Sequence, residues 1–211
     1  MKVTLAIGRV LILIFLAVGY AQAATILDVT SALALSDPTQ LGRVSRSGVP
    51  SDWSTVKAYP GTLSPTITFH YHVYSVNAGI TPFIQITVDS ALANTFVVAY
   101  DTSYLPTAVP PNLGLDTNYL GDAGFSGNPL PNDPNFFQVK IPVNHNLLVV
   151  VSNVGTANVG VGDPYHLIVE GFIDSEFTDP PSTPRVPEVP SAVLLTAGGV
   201  ALALLKLKRL S

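Results

Sequence analysis

Three oxygen-bearing side chains, those of Asp116, Asn118 and Asp122, lie close together in the segment LDTNYLGDAG. Carboxylate and amide oxygens in a flexible loop are the ligands that Ca²⁺ prefers in proteins. The spacing differs from that of an EF-hand, whose twelve-position loop ends in a glutamate. The segment therefore predicts either a calcium site or a surface loop whose aspartate and asparagine side chains satisfy backbone groups in turns.

Two histidines, His70 and His72, are separated by one residue in the segment TITFHYHVYSV. Residues two apart share one face of a strand, with Cβ atoms about 7 Å apart. This spacing suits two ligands of one zinc or copper ion. A third ligand would have to be His145, His166 or a carboxylate. The alternative is a polar outer face of the strand, on which Tyr74 is a neighbour.

Four aromatic residues have the chemistry for stacking on sugar rings. Tyr104, Tyr119 and Phe125 lie in a long loop predicted over residues 101–135, and Trp53 is the only tryptophan. The three loop residues either contact sugars or pin the loop to the domain, and pinning is favoured because a long loop needs apolar anchors to stay ordered. Trp53 is either an exposed sugar platform or a plug at one end of the domain.

Motifs for catalysis are missing from the sequence. It has no G-x-S-x-G elbow and no H-E-x-x-H pair, and it has no cysteine for a thiolate nucleophile or a disulfide. Two acidic residues could meet as a glycosidase pair, but nothing singles out a pair. We therefore do not expect an enzyme, and a secreted hydrolase is kept as an alternative.

The segment 24–177 is acidic. It contains four basic residues against twelve acidic ones, so its net charge is −8, compared with −4 for the whole chain. A surface of this sign repels phosphate backbones. We therefore expect no nucleic-acid partner. The four basic residues are Arg43, Arg46, Lys57 and Lys140.

The elements that must position these side chains are strands. Apolar residues alternate with a period of two, and LLVVVSN is a continuous apolar run, typical of a central strand buried on both faces. Further strands are predicted near residues 25–35 and 56–59, and a hairpin turn at 144–146. With no convincing helical periodicity, the pattern predicts an all-β domain over 24–177, an antiparallel two-sheet β-sandwich that is jelly-roll-like. The alternating segments are TITFHYHVYSV, FIQITVDS, TFVVAYD, FFQVKIPV and YHLIVEGF.

The spacing of these strands, with stretches such as YHVYSV and FVVAY, resembles the small sandwich domains appended to secreted bacterial peptidases, the pre-peptidase C-terminal type. Domains of that type are accessory and do not catalyse a reaction. The resemblance therefore implies a role in binding or in solubility.

Residues 1–23 have the layout of a secretory signal peptide. A basic start precedes an apolar run over residues 10–18, and Ala21 and Ala23 have the spacing that a cleavage site needs. The run is shorter than the roughly 20 apolar residues of a membrane anchor. We expect cleavage after Ala23, so that the mature chain begins at Ala24 outside the cytoplasm.

The other end of the chain has three parts. Residues 178–190 include five prolines and predict an extended linker. Residues 191–205 are uncharged and predict a single transmembrane helix, with a buried core helix as the poorer alternative. The tail 206–211 would stay in the cytoplasm because it is basic. Its charged residues are Lys206, Lys208 and Arg209.

This end resembles the PEP-CTERM sorting signal of bacterial proteins that an exosortase processes. The resemblance rests on a Pro-Glu-Pro-like motif, an apolar span and a basic tip; Val189 stands inside the tripeptide. It implies export, transient anchoring in the inner membrane by the helix, and cleavage near the motif with transfer to the cell surface or extracellular matrix. The implied partner is an exosortase-type enzyme. The motif residues are Val186, Pro187, Glu188, Pro190 and Ser191.

These observations predict an exported bacterial cell-surface or matrix protein with a structural or adhesive β-sandwich. Extracellular polysaccharide is the expected further partner. No cofactor is expected, unless calcium binds at Asp116, Asn118 and Asp122. A dedicated carbohydrate-binding module is the first alternative, and the secreted hydrolase is the second.

Overall fold

The computed structural model describes residues 23–90, 92–127, 135–156 and 158–173, which form nine β-strands and no helix. The all-β class is therefore confirmed for the described residues. The strands are β1 (Ala24–Ala32), β2 (Thr39–Val44), β3 (Thr62–Asn77), β4 (Phe83–Asp89), β5 (Thr95–Asp101), β6 (Tyr119–Asp122), β7 (Asn135–Lys140), β8 (Asn146–Asn153) and β9 (Pro164–Phe172).

Several predictions concern residues outside these ranges. They are the signal peptide up to residue 22, the linker 178–190 with its sorting motif, the helix 191–205 and the basic tail 206–211. Within the described ranges, no helix has the length and apolar character needed to cross a membrane.

The strands form two antiparallel sheets, as predicted. Sheet 1 has four strands in the order β1-β9-β4-β7, and sheet 2 has five in the order β2-β3-β8-β5-β6. Every strand pair is antiparallel. The long strand β3 pairs with β2 through its first half and with β8 through its second half. The result is a β-sandwich-like fold.

The alternating apolar residues of both sheets form the core. In β4, Ile84, Ile86 and Val88 are buried while the residues between them are only half-buried. Strand β8 is central in its sheet, between β3 and β5, and residues 149–153 are buried on both faces, which confirms the prediction for LLVVVSN. The other core residues include Phe137, Val139, Tyr165, Leu167 and Val169 of sheet 1 and Val97, Ala99, Leu147, Val149 and Val151 of sheet 2.

The loop after β5 covers the outer face of sheet 2. All residues of β5 except the last are buried, including Tyr100, whose hydroxyl donates a hydrogen bond of 3.1 Å to the Leu115 carbonyl. Leu113 is also buried and lies against Gly42, where a Cβ atom would be 3.0 Å from Leu113 Cδ1. This covering explains why a strand of the sheet has no solvent-facing side.

Three expectations about the strands and turns are wrong, and one strand is missing from the prediction. Residues 56–59 are irregular, and the loop predicted over 101–135 contains the short strand β6. The strand β2 (39–44) was not expected, because its sequence TQLGRV does not alternate clearly. Residues 144–146 do lie at a turn, but it joins β7 of sheet 1 to β8 of sheet 2, so it is not a hairpin.

Candidate functional site

Four polar side chains, those of Asp37, His72, Tyr165 and Tyr74, form a continuous row of hydrogen bonds. His72 on β3 lies with Nε2 2.6 Å from Asp37 Oδ2 and with Nδ1 2.7 Å from the Tyr165 hydroxyl. The Tyr165 hydroxyl lies 2.7 Å from that of Tyr74. With Nε2 donating to Asp37, Nδ1 accepts from Tyr165, and every member of the row has a partner.

This row joins the two sheets. His72 and Tyr74 belong to β3 of sheet 2, Tyr165 belongs to β9 of sheet 1, and Asp37 lies in the connection between β1 and β2. The expectation that this face of β3 points outward is therefore wrong, because its side chains meet the opposite sheet. We call these four residues the His72 seam.

The order carboxylate, imidazole, hydroxyl is also the order of groups in nucleophilic triads. Here the hydroxyl is that of Tyr165, which is 2% exposed. Burial, reinforced by the hydrogen bond with Tyr74, raises the pKa of Tyr165 well above its ordinary value of 10. A buried phenol that holds its proton is a poor nucleophile, so the arrangement serves cohesion between the sheets better than it serves catalysis.

The predicted histidine pair does share one face of β3, and both imidazoles approach Asp37. His70 Nδ1 lies 3.3 Å from the Asp37 carbonyl oxygen, whereas His72 uses both ring nitrogens within the seam. No group of three or more His, Cys, Asp or Glu side chains in the described ranges is placed to hold a metal ion. The other candidate ligands pair elsewhere, His145 with Asp101 at 2.8 Å and His166 with Asp28 at 2.7 Å.

The predicted calcium ligands occupy different environments. Asp116 is exposed and accepts a 2.8 Å hydrogen bond from Asn112, while Asn118 donates one of 2.8 Å to Ser103. Asp122 is fully buried. Calcium binding by these three residues remains a prediction, and it would require Asp122 to leave its protein partners.

Those partners use both oxygens of the Asp122 carboxylate. Oδ1 accepts from Lys57 Nζ at 2.7 Å and from the Gly124 amide at 2.6 Å, and Oδ2 accepts from the Tyr119 hydroxyl. The ion pair is buried, with 14% of the Lys57 side chain exposed and none of the Asp122 side chain. Residues 52–60 form no strand, and this pair attaches them to β6.

The same segment bridges the edge strands β6 and β7 with its main chain. The Ser51 amide donates to the Asp122 carbonyl at 2.9 Å, and the Ser51 carbonyl accepts from the Gln138 amide at 2.8 Å. Ser51 thus makes one backbone bond to each sheet. We call Ser51, Lys57, Asp122 and Gln138 the Ser51 seam.

A glycine allows this close approach. A Cβ atom on Gly121 would lie 2.3 Å from Ser51 Oγ and 2.8 Å from Val139 Cγ1, which is closer than real contacts permit. Gly121 is part of β6, where no positive φ requires a glycine. Its function is therefore to leave room for the side chains of Ser51 and Val139.

Trp53 is a plug and not an exposed platform. Its side chain is 3% exposed, and its ring packs edge-on against Phe83 at 5.7 Å and Phe172 at 5.5 Å between centroids. These two phenylalanines belong to β4 and β9, so Trp53 fixes the segment 51–59 to sheet 1. The sequence left both interpretations open, and the structure selects the second.

Two of the three aromatic residues of the loop also serve as anchors. Tyr104 packs against Tyr100 at 4.7 Å and its hydroxyl donates to Gln40, while Tyr119 packs 5.4 Å from Tyr59 and its hydroxyl donates to Asp122. Pinning of the loop is therefore confirmed for both. Phe125 differs, because 40% of it is exposed.

A cleft of about 100 Å³ lies beside Trp53, lined by residues 52–56, Leu120, Val139 and Lys140. Sites for small molecules are usually about 300–1,000 Å³. The cleft is therefore too small to hold a typical substrate.

The members of the two seams that the sequence did not suggest are Asp37, Tyr165, Ser51, Lys57 and Gln138. Their partners are far away along the chain: 93 residues separate His72 from Tyr165, and 65 separate Lys57 from Asp122. Spacing along the chain gives no signal for such contacts. Only the isolated lysine in an acidic domain could have drawn attention to an ion pair.

Comparison with known proteins adds no identification. No family model matches the sequence, and no curated protein matches it. The fold and the site therefore rest on the geometry described above.

Proposed function

We propose that this is an exported structural or adhesive protein of a bacterial cell surface or extracellular matrix, sorted by its PEP-CTERM-like end. One observation carries the structural role. His72 and Tyr165 bind each other from sheet to sheet, and the buried Lys57–Asp122 pair holds the segment in which Ser51 bonds to both sheets. They serve cohesion of the domain, which is the property that a structural protein without disulfides needs.

The strand order supports the jelly-roll part of the proposal. Without β2, the strands form two sheets of four in the orders β1-β9-β4-β7 and β3-β8-β5-β6. Two four-stranded antiparallel sheets, in which the first strand pairs with the last, are the arrangement of a jelly roll. Strand β1 begins at Ala24, the proposed first residue of the mature chain, so cleavage after Ala23 leaves the strand intact.

Mapping both ends of the protein isolated from its native bacterium tests the sorting. The mature chain should begin at Ala24, end between Pro187 and Ser191, and be recovered from the cell surface or the matrix. Alanine at Pro187, Glu188 and Pro190 should give a protein that runs to Ser211 and stays in the membrane fraction. Alanine at the linker residues 180, 181 and 184 is the matched control and should change neither result.

A cytoplasmic protein that retains residue 1 would contradict export, and a natural chain that ends at Ser211 would contradict processing. The non-catalytic part is tested with the full chain on a panel of glycosides and esters. Turnover that disappears in a Tyr165→Phe variant would replace the structural role with an enzyme.

Carbohydrate binding is a second candidate, and one observation favours it. Phe125, one of the residues expected to stack on sugars, keeps 40% of its surface exposed although neighbouring residues of its loop are buried. An exposed aromatic ring fixed by a buried loop is a rigid apolar surface for a sugar.

A further inference from the structure

Two of the four basic residues of the acidic domain, Arg43 and Arg46, form no ion pair with a carboxylate among the residues that the structure describes. Arg43 on β2 is 2% exposed, and Arg46 is near enough that its positive charge acts on Arg43. The other two basic side chains have partners, since Lys57 pairs with Asp122 and Lys140 lies over the ring of Phe83.

The Arg43 guanidinium lies between two aromatic rings. It is 5.8 Å from the ring centre of Phe69 and 5.9 Å from that of Phe96. Nη1 donates a 3.1 Å hydrogen bond to the Val44 carbonyl, and Nε is buried without an acceptor. Among the described residues, no carboxylate forms an ion pair with Arg43.

A buried cation without a counter-ion is unfavourable, and a domain with twelve acidic residues had many ways to supply one. Burial, and then the charge of Arg46, lower the pKa of Arg43 from 12.5 to about 10. The guanidinium is therefore still charged at neutral pH. Its positive field is available to a negative group from outside the chain.

Arg46 is the positive group at the surface beside the buried Arg43. It is exposed, and its Nη1 donates a 2.7 Å hydrogen bond to Ser126 Oγ, which fixes the direction of the side chain. The main chain beside it is also fixed, because the Gly48 amide donates to the Gly124 carbonyl at 3.0 Å. Phe125 lies between Gly124 and Ser126, and its ring edge is 3.9 Å from the position of a Cβ atom built on Gly48, two residues from Arg46.

We propose that Arg46, supported by the buried positive charge of Arg43, binds a carboxylate of an acidic polysaccharide, with the ring of Phe125 against the sugar. This inference rests on the proposed function as a matrix protein. Guanidinium groups match planar carboxylates, and an aromatic ring can cover the apolar face of a sugar. A polymer with one charge per sugar suits the site better than a dense polyphosphate, because the net charge of −8 around it repels dense anions.

Binding of the full chain, in mild detergent, to polygalacturonate tests the inference. The wild-type chain should bind this polymer and should not bind dextran, a neutral polysaccharide. Arg46→Gln should lower the affinity about tenfold, as expected for the loss of a charge-assisted hydrogen bond. Lys140→Gln is the matched control, since it removes the same charge from another exposed position, and it should change the affinity less than twofold.

A second polymer separates the sugar from the charge. Polyacrylate carries carboxylates but no sugar rings, so Phe125→Ala should weaken binding to polygalacturonate and leave binding to polyacrylate unchanged. Equal losses for Arg46→Gln and Lys140→Gln would overturn the site in favour of general charge attraction. Tighter binding of polyphosphate than of polygalacturonate would overturn the ligand class.

The two proposals can fail separately. A chain that reaches the cell surface but does not bind polygalacturonate would refute the site and leave the sorting intact. A chain that binds polygalacturonate through Arg46 but stays in the cytoplasm would retain the site and refute the matrix role.

Discussion

The two seams join the same pair of sheets with different chemistry. In the Ser51 seam, the main chain of Ser51 bonds to both edge strands, and the buried Lys57–Asp122 pair lies beneath it. In the His72 seam, side chains alone span from sheet to sheet. The shortest contacts to a carboxylate are similar in length, 2.7 Å between Lys57 and Asp122 and 2.6 Å between His72 and Asp37.

The two seams differ in how deeply their charged or polar groups are buried, and not in the length of their contacts. Asp122 has no exposed surface, whereas the side chains of His72 and Asp37 are 24% and 17% exposed. Water can hydrate a partly exposed group that loses its partner, but it cannot reach a fully buried carboxylate. We therefore expect the two seams to respond unequally to the loss of one member, although their contacts look alike.

Removal of the Asp122 carboxylate should have the largest effect. Asp122→Ala leaves Lys57, Tyr119 and the Gly124 amide without their acceptor, so the free energy of unfolding should fall by about 5 kcal/mol, measured by urea denaturation. The exposed Asp116→Ala is the control and should change it by less than about 0.5 kcal/mol.

A double variant sharpens this test. Replacement of both members, Lys57→Met with Asp122→Leu, removes the buried charges together and should restore part of the loss. If Asp122→Ala costs no more than Asp37→Ala, burial does not rank the two seams and the comparison is wrong.

Alkaline pH should weaken both seams at once. Burial raises the pKa of Tyr119 in contact with the Ser51 seam and of Tyr165 in the His72 seam, and it does the same for Tyr100 and Tyr104. In the unfolded chain these phenols ionise near pH 10, while in the folded protein they keep their protons. The contribution of these tyrosines to the free energy of unfolding is therefore fully present below pH 10 and is lost as the pH rises above 10.

Arg43 acts in the opposite direction. Its pKa is lowered to about 10 in the folded protein, so above that pH the folded form gains stability from it. Four tyrosines whose pKa values are raised outweigh one arginine whose pKa is lowered. The free energy of unfolding should thus fall between pH 9 and pH 11. Less loss in Tyr119→Phe and Tyr165→Phe would confirm the cause; an unchanged loss would exclude it.

The fold was predictable for strands whose burial is recorded in the apolar pattern of their own sequence. The alternation in β4 and the continuous apolar run in β8 reflect burial that each strand experiences along its whole length. The strand β6 has only four residues and is stabilised by Ser51, which lies 71 residues away from Asp122. Such a strand depends on its partners, so its own sequence carries no sufficient signal.

The candidate site was predictable only in part, for the same reason. The shared face of His70 and His72 follows from the period of a strand, but their partner Asp37 comes from a connection that periodicity does not place. Trp53 is similar, because nothing in SDWSTV indicates that Phe83 and Phe172 will cover its ring. Residue types indicate which chemistry is available, while tertiary contacts decide whether it is used for cohesion or for a ligand.

The smallest difference should appear between two histidine–aspartate pairs. His72→Gln removes hydrogen bonds to two half-buried or buried groups, Asp37 and Tyr165, and should lower the free energy of unfolding by about 1.5 kcal/mol. His166→Gln is the matched control. It breaks a pair with Asp28 in which the side chains are 39% and 62% exposed, so the loss should stay below about 0.5 kcal/mol. Urea denaturation of both variants measures the difference. Equal losses would mean that the His72 seam is no stronger than a surface pair, and that the Ser51 seam alone fastens the sheets.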